Sequence, residues 1–76
     1  MTREQLLAGL AALLETNLPL TGPEELSSLG NWYSMAVIRF ICLVDERCGV
    51  TLAPAEINRC QTVNDLVELV FVRAGR

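Results

Sequence analysis

Apolar residues return at helical spacing in three long stretches of this chain, and turn-forming residues separate them. In the first, Leu6, Leu10, Leu13 and Leu14 form a stripe that Leu7 widens, while Ala8, Ala11 and Ala12 raise helix propensity. Thr2 with Gln5 three residues on has the form of a capping box, and Asn17 and Pro19 supply a stop, so a helix is predicted over about residues 3 to 16. No period is sustained from residue 18 to 33; Thr-Gly-Pro and Leu-Gly-Asn mark turns in a long connection, with Leu26 and Leu29 spaced to pin one short turn to the core. Trp32 is expected to pack there as a lid, with contact to a cargo or partner as the alternative. A second helix is predicted from Ser34 to Cys48, ended by Gly49 in the left-handed position. Val50 and Leu52 return to the core, Pro54 suits the first position of a short third helix through Arg59, and Ile57 points inward. Thr62 and Asp65 repeat the capping pattern before a last stripe of Val63, Leu66, Val67 and Val70, running to about Val72, with Arg73 and Arg76 complementing its C-terminal dipole. The expected fold is all-α: three substantial helices and one short one in a four-helix bundle, with a long loop between the first two.

The second helix is apolar on most of its circumference. On a helical wheel Ile38, Phe40, Ile41, Val44 and Cys48 share the expected inward half, and Met35, Ala36, Arg39, Cys42, Leu43 and Glu46 fall outward. That outward strip is too apolar for a purely solvated face. It is either a docking surface or partly covered by a neighbouring helix, and in so small a bundle docking is the expectation. Ser34 opens this helix. Serine is a favoured N-cap, because its oxygen accepts from a free N–H of the first turn, which would leave the hydroxyl at the helix mouth near the surface.

Composition narrows the function. Seventy-six residues, 51% of them hydrophobic, are expected to form one domain over residues 1–76 with a densely packed core. No stretch approaches the roughly 20 apolar residues of a membrane span, and the N-terminus lacks a signal-peptide layout, so a cytoplasmic protein without membrane attachment is expected; a monomer is the expected state. The starting Met and the length favour a free-standing protein. Cys42, Cys48 and Cys60 are odd in number and lack metal spacing; they read as reduced, small apolar residues. There is no histidine, so the commonest general base is missing and self-contained catalysis is not expected. A net charge of −3 with no basic cluster argues against nucleic acid. Glu4, Glu15, Glu24 and Glu25 against Arg3 in the first 33 residues make a surplus that basic partners can read, although a solvated face is its commoner meaning.

A serine after a Leu-Gly turn, a bulky aliphatic, an apolar helix ending in Gly-Val, and then a Thr-Val-x-x-Leu helix resemble the acyl and peptidyl carrier proteins. The landmarks cover roughly residues 26 to 70, and the helix order covers the whole chain. Trp32, two residues before the serine, resembles the free-standing subset with a Trp-Asp-Ser motif, and VDERCGVTLAPAEINRCQTVNDL is similar to theirs almost throughout. The resemblance implies a carrier-type four-helix bundle with 4′-phosphopantetheine attached to Ser34. It implies a transferase that attaches the arm from coenzyme A with Mg²⁺, and partner enzymes that load and process acyl or aminoacyl thioesters. The outward residues Tyr33, Met35, Ala36, Arg39, Cys42, Leu43 and Glu46 would contact them. Tyr33 stands where the family nearly always has Asp, and Met35 where it usually has Leu. Ala36 and Arg39 occupy positions that are often acidic in carriers of fatty-acid synthesis, so polyketide or nonribosomal-peptide enzymes of specialised metabolism are the expected partners. Tyr33 also keeps open a second reading: a carrier-like docking subunit that is never loaded.

Overall fold

The computed structural model describes residues 2–16, 19–30 and 32–75, with Ser34 by its main chain only. Its elements are α1 (Arg3–Leu13), a 3-10 turn (Leu26–Ser28), α2 (Ser34–Cys48), α3 (Pro54–Asn58) and α4 (Val63–Arg73). Among the described residues there is no β-strand, only one isolated antiparallel bridge between Glu25 and Thr62. The fold is the expected all-helical carrier-type bundle.

Each long helix starts or stops for a local reason. In α1 the Gln5 N–H donates to Thr2 Oγ1 at 3.1 Å and the Thr2 N–H donates to Gln5 Oε1 at 2.9 Å. The helix ends at Leu13, three residues earlier than its leucine pattern predicts. Glu15 takes a left-handed φ of 56°, the Thr16 N–H reaches back to the Ala11 carbonyl and the Glu15 N–H to the Ala12 carbonyl. That is a Schellman closure built without glycine, and so without the usual sequence signal. The predicted stop at Asn17 lies outside the described residues. Gly49 ends α2 at φ 67°, donating its N–H to the Asp45 carbonyl. Thr62 and Asp65 cap α4 reciprocally, at 3.1 and 3.2 Å. Arg73, in its last turn, pairs with the Glu56 carboxylate and donates to the Thr51 carbonyl, tying α4 to α3. Glu56 also accepts from the Ala53 N–H, and these bonds hold its carboxyl below the ordinary range. Arg76 lies outside the described residues.

The core joins Leu6, Leu10 and Leu14 to Phe40 and Val44 of α2, to Val50, Leu52 and Ile57, and to Val63, Leu66, Val67 and Val70 of α4. Phe40 is fully buried, and Trp32 packs edge-on against it, rings 6.1 Å apart at 71°. Trp32 is therefore the predicted lid.

Hydrogen bonds explain how so long a connection between α1 and α2 stays docked. The Glu24 carboxylate accepts from the Thr21 N–H at 2.8 Å, the Thr21 hydroxyl at 3.0 Å and the Gly22 N–H at 2.7 Å, which lowers its pKa to about 2. The first two amides of α4, which no helix turn can satisfy, donate to this loop: Val63 to the Glu24 carbonyl and Asn64 to the Gly22 carbonyl. Arg3 donates to the Thr21 carbonyl and to Asn64 Oδ1. Gly22 has φ 129°, and a Cβ there would stand 2.3 Å from Asn64 Oδ1, so only glycine fits. Leu26 is buried beneath the 3-10 turn and Leu29 packs beside it.

Two positions on α2 correct the wheel. Ala36, expected outward, is buried at 6% exposure, and Ile38, expected inward, is 54% exposed. Ala36, Phe40 and Val44 succeed one another at i, i+4 and define the true inward line, with Val37, Ile41 and Cys48 partly buried beside it. Ile38 projects from nearly the opposite side.

Candidate functional site

The site begins where the docked loop turns into α2. Tyr33, with φ −145° and ψ −173°, is the N-cap, and its carbonyl accepts from the Val37 N–H at 3.0 Å. Ser34 is the first residue inside the helix, so the expectation that Ser34 itself is the cap is corrected by one position; its side chain lies outside the described part of the structure. The Tyr33 side chain makes no capping bond, and the residue is 60% exposed. No acid stands in the first turn of α2. The Trp32 contact with Phe40 anchors the chain just before this point, so the serine's main chain is set by packing on one side and by the helix on the other.

Along the helix from Ser34, Met35, Ile38, Arg39, Cys42, Asp45 and Glu46 are exposed. Leu43 is half-buried at the edge of this strip, and Ala36, placed in it by the wheel, leaves it because it packs inward. Ile38 belongs to the strip and was missed; its spacing to Met35 and Cys42, three back and four on, is the signal that finds it. The upper half of the strip is apolar and basic, and acids enter only at Asp45 and Glu46.

Two depressions flank the start of α2. One, of about 220 Å³, lies between the end of α1 and the start of α2; Leu13, Glu15, Tyr33, Met35 and Arg39 line it. The other, of about 460 Å³, faces α3 and is lined by Trp32, Tyr33, Val37, Ile38, Pro54 and Asn58. Tyr33 belongs to both, and the first alone has charged lining residues. The main chain of the first residue of α2 thus lies between exposed Tyr33, which borders both hollows, and exposed Met35, which borders the first.

The cysteines offer no competing site. Cys42 is exposed, Cys48 and Cys60 are partly buried, no disulfide joins them, and burial pushes the Cys60 thiol up. Among the described residues no group of three or more His, Cys, Asp or Glu side chains is placed to hold a metal. Likewise no described helix is long and apolar enough to cross a membrane.

Residues 4–70 match the family described as the phosphopantetheine attachment site. No curated protein and no solved structure matches the chain. The match spans the 3-10 turn, all of α2 and α3, and most of α1 and α4.

Proposed function

This chain belongs to the phosphopantetheine-attachment family, and we propose that within it Ser34 is the residue that carries the arm. Domains of this family hold 4′-phosphopantetheine covalently, act generally as carriers and work with partner enzymes. The observation that supports Ser34 is its place: the first helical residue of α2, between exposed Tyr33 and Met35, in the stretch that bears the family landmarks.

In this reading the Ser34 oxygen forms a bond to the pantetheine-bearing phosphorus of coenzyme A, the pyrophosphate bond breaks, and the nucleotide half leaves. The transferase supplies Mg²⁺ and the base, since the chain has no histidine. Once bound, the arm supplies a thiol that holds an acyl or aminoacyl group as a thioester. The protein's own contribution is proximity: a tethered group meets successive enzymes at high effective concentration, and the carrier performs no chemistry.

We assign enzyme contacts to Tyr33, Met35, Arg39, Cys42 and Glu46, with Leu43 at the margin and Ile38 added by its exposure. Arg39 and Ile38, together with the lack of an acid before Asp45, make this surface unsuited to a strongly basic partner. Enzymes of polyketide or nonribosomal-peptide type suit it better than the fatty-acid set, and the cytoplasm is where it would meet them. Tyr33 favours one second reading, a docking subunit that is never loaded, because no carboxylate stands at the N-cap to meet a transferase. Intact mass after incubation with coenzyme A, Mg²⁺ and a broad-specificity phosphopantetheinyl transferase separates the two. One added arm, absent in Ser34→Ala, is expected; a folded protein left unmodified by several transferases establishes the docking subunit instead.

A further inference from the structure

Deepening the contacts assigned to Arg39 and Leu43, and whether or not Ser34 is loaded, we infer that the groove between α1 and α2 seats an acidic helix of a partner protein, its carboxylates meeting Arg39 and Arg47. Arg39, Leu43 and Arg47 follow one another at intervals of four and so lie along one face of α2. That face meets α1, which runs the opposite way. Arg39 lines the hollow formed with Leu13 and Glu15, while Leu43 and Arg47 line a second hollow, of about 500 Å³, with Gln5, Ala8 and Gly9. Both arginines are exposed, and Leu43 between them is half-buried. Ala8 and Gly9 leave the α1 wall of the second hollow almost without side chains, so a side chain from outside can reach Leu43.

The two guanidiniums are free to meet a partner. Arg3 bonds to the Thr21 carbonyl and to Asn64, and Arg73 pairs with Glu56, so those two arginines hold the fold. Among the described residues neither Arg39 nor Arg47 makes an ion pair, and no acid stands three or four residues from either, where a partner on the same helix would have to be. They are about 12 Å apart along the helix axis. A partner helix with carboxylates about eight residues apart spans the same distance, and an apolar side chain midway falls over Leu43. A second copy lacks this complement: α1 carries Glu4 alone, α2 the adjacent Asp45 and Glu46, α3 Glu56 alone, and α4 the closely spaced Asp65 and Glu68. A polyanion such as nucleic acid is opposed by Glu15 in the groove, by Asp45 and Glu46 on α2, and by the net charge of −3. Two discrete carboxylates can be placed on the arginines alone.

The test titrates ¹⁵N-labelled protein, without an arm, with an alanine-based helical peptide that bears two glutamates about eight residues apart and a leucine midway. Amide shifts clustered on Gly9, Arg39, Leu43 and Arg47 are expected, with binding weakened by added salt. Arg39→Gln and Arg47→Gln should keep the melting temperature and each weaken binding about 1.5- to 5-fold. Peptides with glutamine in place of both glutamates, or with the glutamates only about four residues apart, should bind more weakly than the first. Equal binding of either control peptide, shifts centred on Ile38 and Asn58, or no shifts at all overturn the inference. Concentration-dependent broadening of the same amides without peptide also overturns it and assigns the groove to a second copy, and an equal response to polyphosphate assigns it to a polyanion. Because the protein carries no arm in this experiment, failure here leaves the Ser34 assignment untouched, and failure of that assignment leaves this one untouched.

Discussion

Tyr33→Asp sets two effects of similar size against each other at the most unusual position of the site. Tyr33 is 60% exposed, so about two-fifths of it is covered. A wholly buried tyrosine covers about 150–250 Å². The covered part is then about 60–100 Å², worth about 1.5–2.5 kcal/mol at 25 cal/mol/Å². Compactness of the unfolded chain and the polar share of that area reduce this to about 1–2 kcal/mol. Against it, the main chain at Tyr33 already has the extended conformation of an N-cap, and its side chain makes no capping bond. An aspartate there gains a cap worth about 1 kcal/mol, and a charge at the helix N-terminus adds about 0.3–1 kcal/mol. The two sums nearly cancel, so the melting temperature should move by no more than about 4–8 °C, the equivalent of about 1 kcal/mol in a chain of this size. Loading behaves differently, because the new carboxylate meets the transferase beside Ser34. An exposed charge pair of about 0.2–1 kcal/mol corresponds to loading roughly 1.5 to 5 times faster. Rate of arm attachment and thermal melting are measured on the same pair of proteins. Slower loading together with a fall in melting temperature beyond about 8 °C would refute the reasoning and make the ring a structural element.

Other positions give sharper signs. Gly22→Ala forces a Cβ into Asn64 Oδ1 at a φ of 129° and should cost at least about 2 kcal/mol, read as a lower urea midpoint; an unchanged midpoint would show that the loop is not clamped there. Ile38→Glu should leave stability within about 0.5 kcal/mol while weakening capture by the cognate enzyme, and a large loss of stability would return Ile38 to the core. Glu24 has a folded pKa of about 2 against an ordinary 4.5, so the stability it contributes is present above about pH 4.5 and is lost as pH falls toward 2. Urea midpoints of the wild type and Glu24→Gln should therefore differ at neutral pH and converge near pH 2; a constant gap would contradict the loop network.

Most of the helix order was legible because it rests on local signals. The capping boxes at Thr2 and Thr62, Pro54 at the first position of α3 and Gly49 behind α2 all act within four residues of where they are read. The early end of α1 was hidden because Glu15 takes a conformation that usually advertises itself as glycine. The docking of the loop was hidden for a different reason: it depends on the carbonyls of Thr21, Gly22 and Glu24, and main-chain acceptors leave no mark in a sequence. Rotation of α2 was misjudged because a helix apolar nearly all round has no polar face to orient it. A small residue such as Ala36 gave no hint that it sits on the inward line while the larger Ile38 does not. The serine's neighbourhood was readable from its landmarks, but which residue caps the helix depends on main-chain geometry, and Tyr33 takes that place without a capping side chain.

The most direct test of the central claim is the mass of the protein purified from cells of the organism that makes it, before and after hydroxylamine. A carrier loaded at Ser34 should show the arm plus a cargo, lose only the cargo to hydroxylamine, and yield a single arm-bearing peptide that contains Ser34. A mass equal to that of the bare chain, or an arm on any other residue, would contradict it.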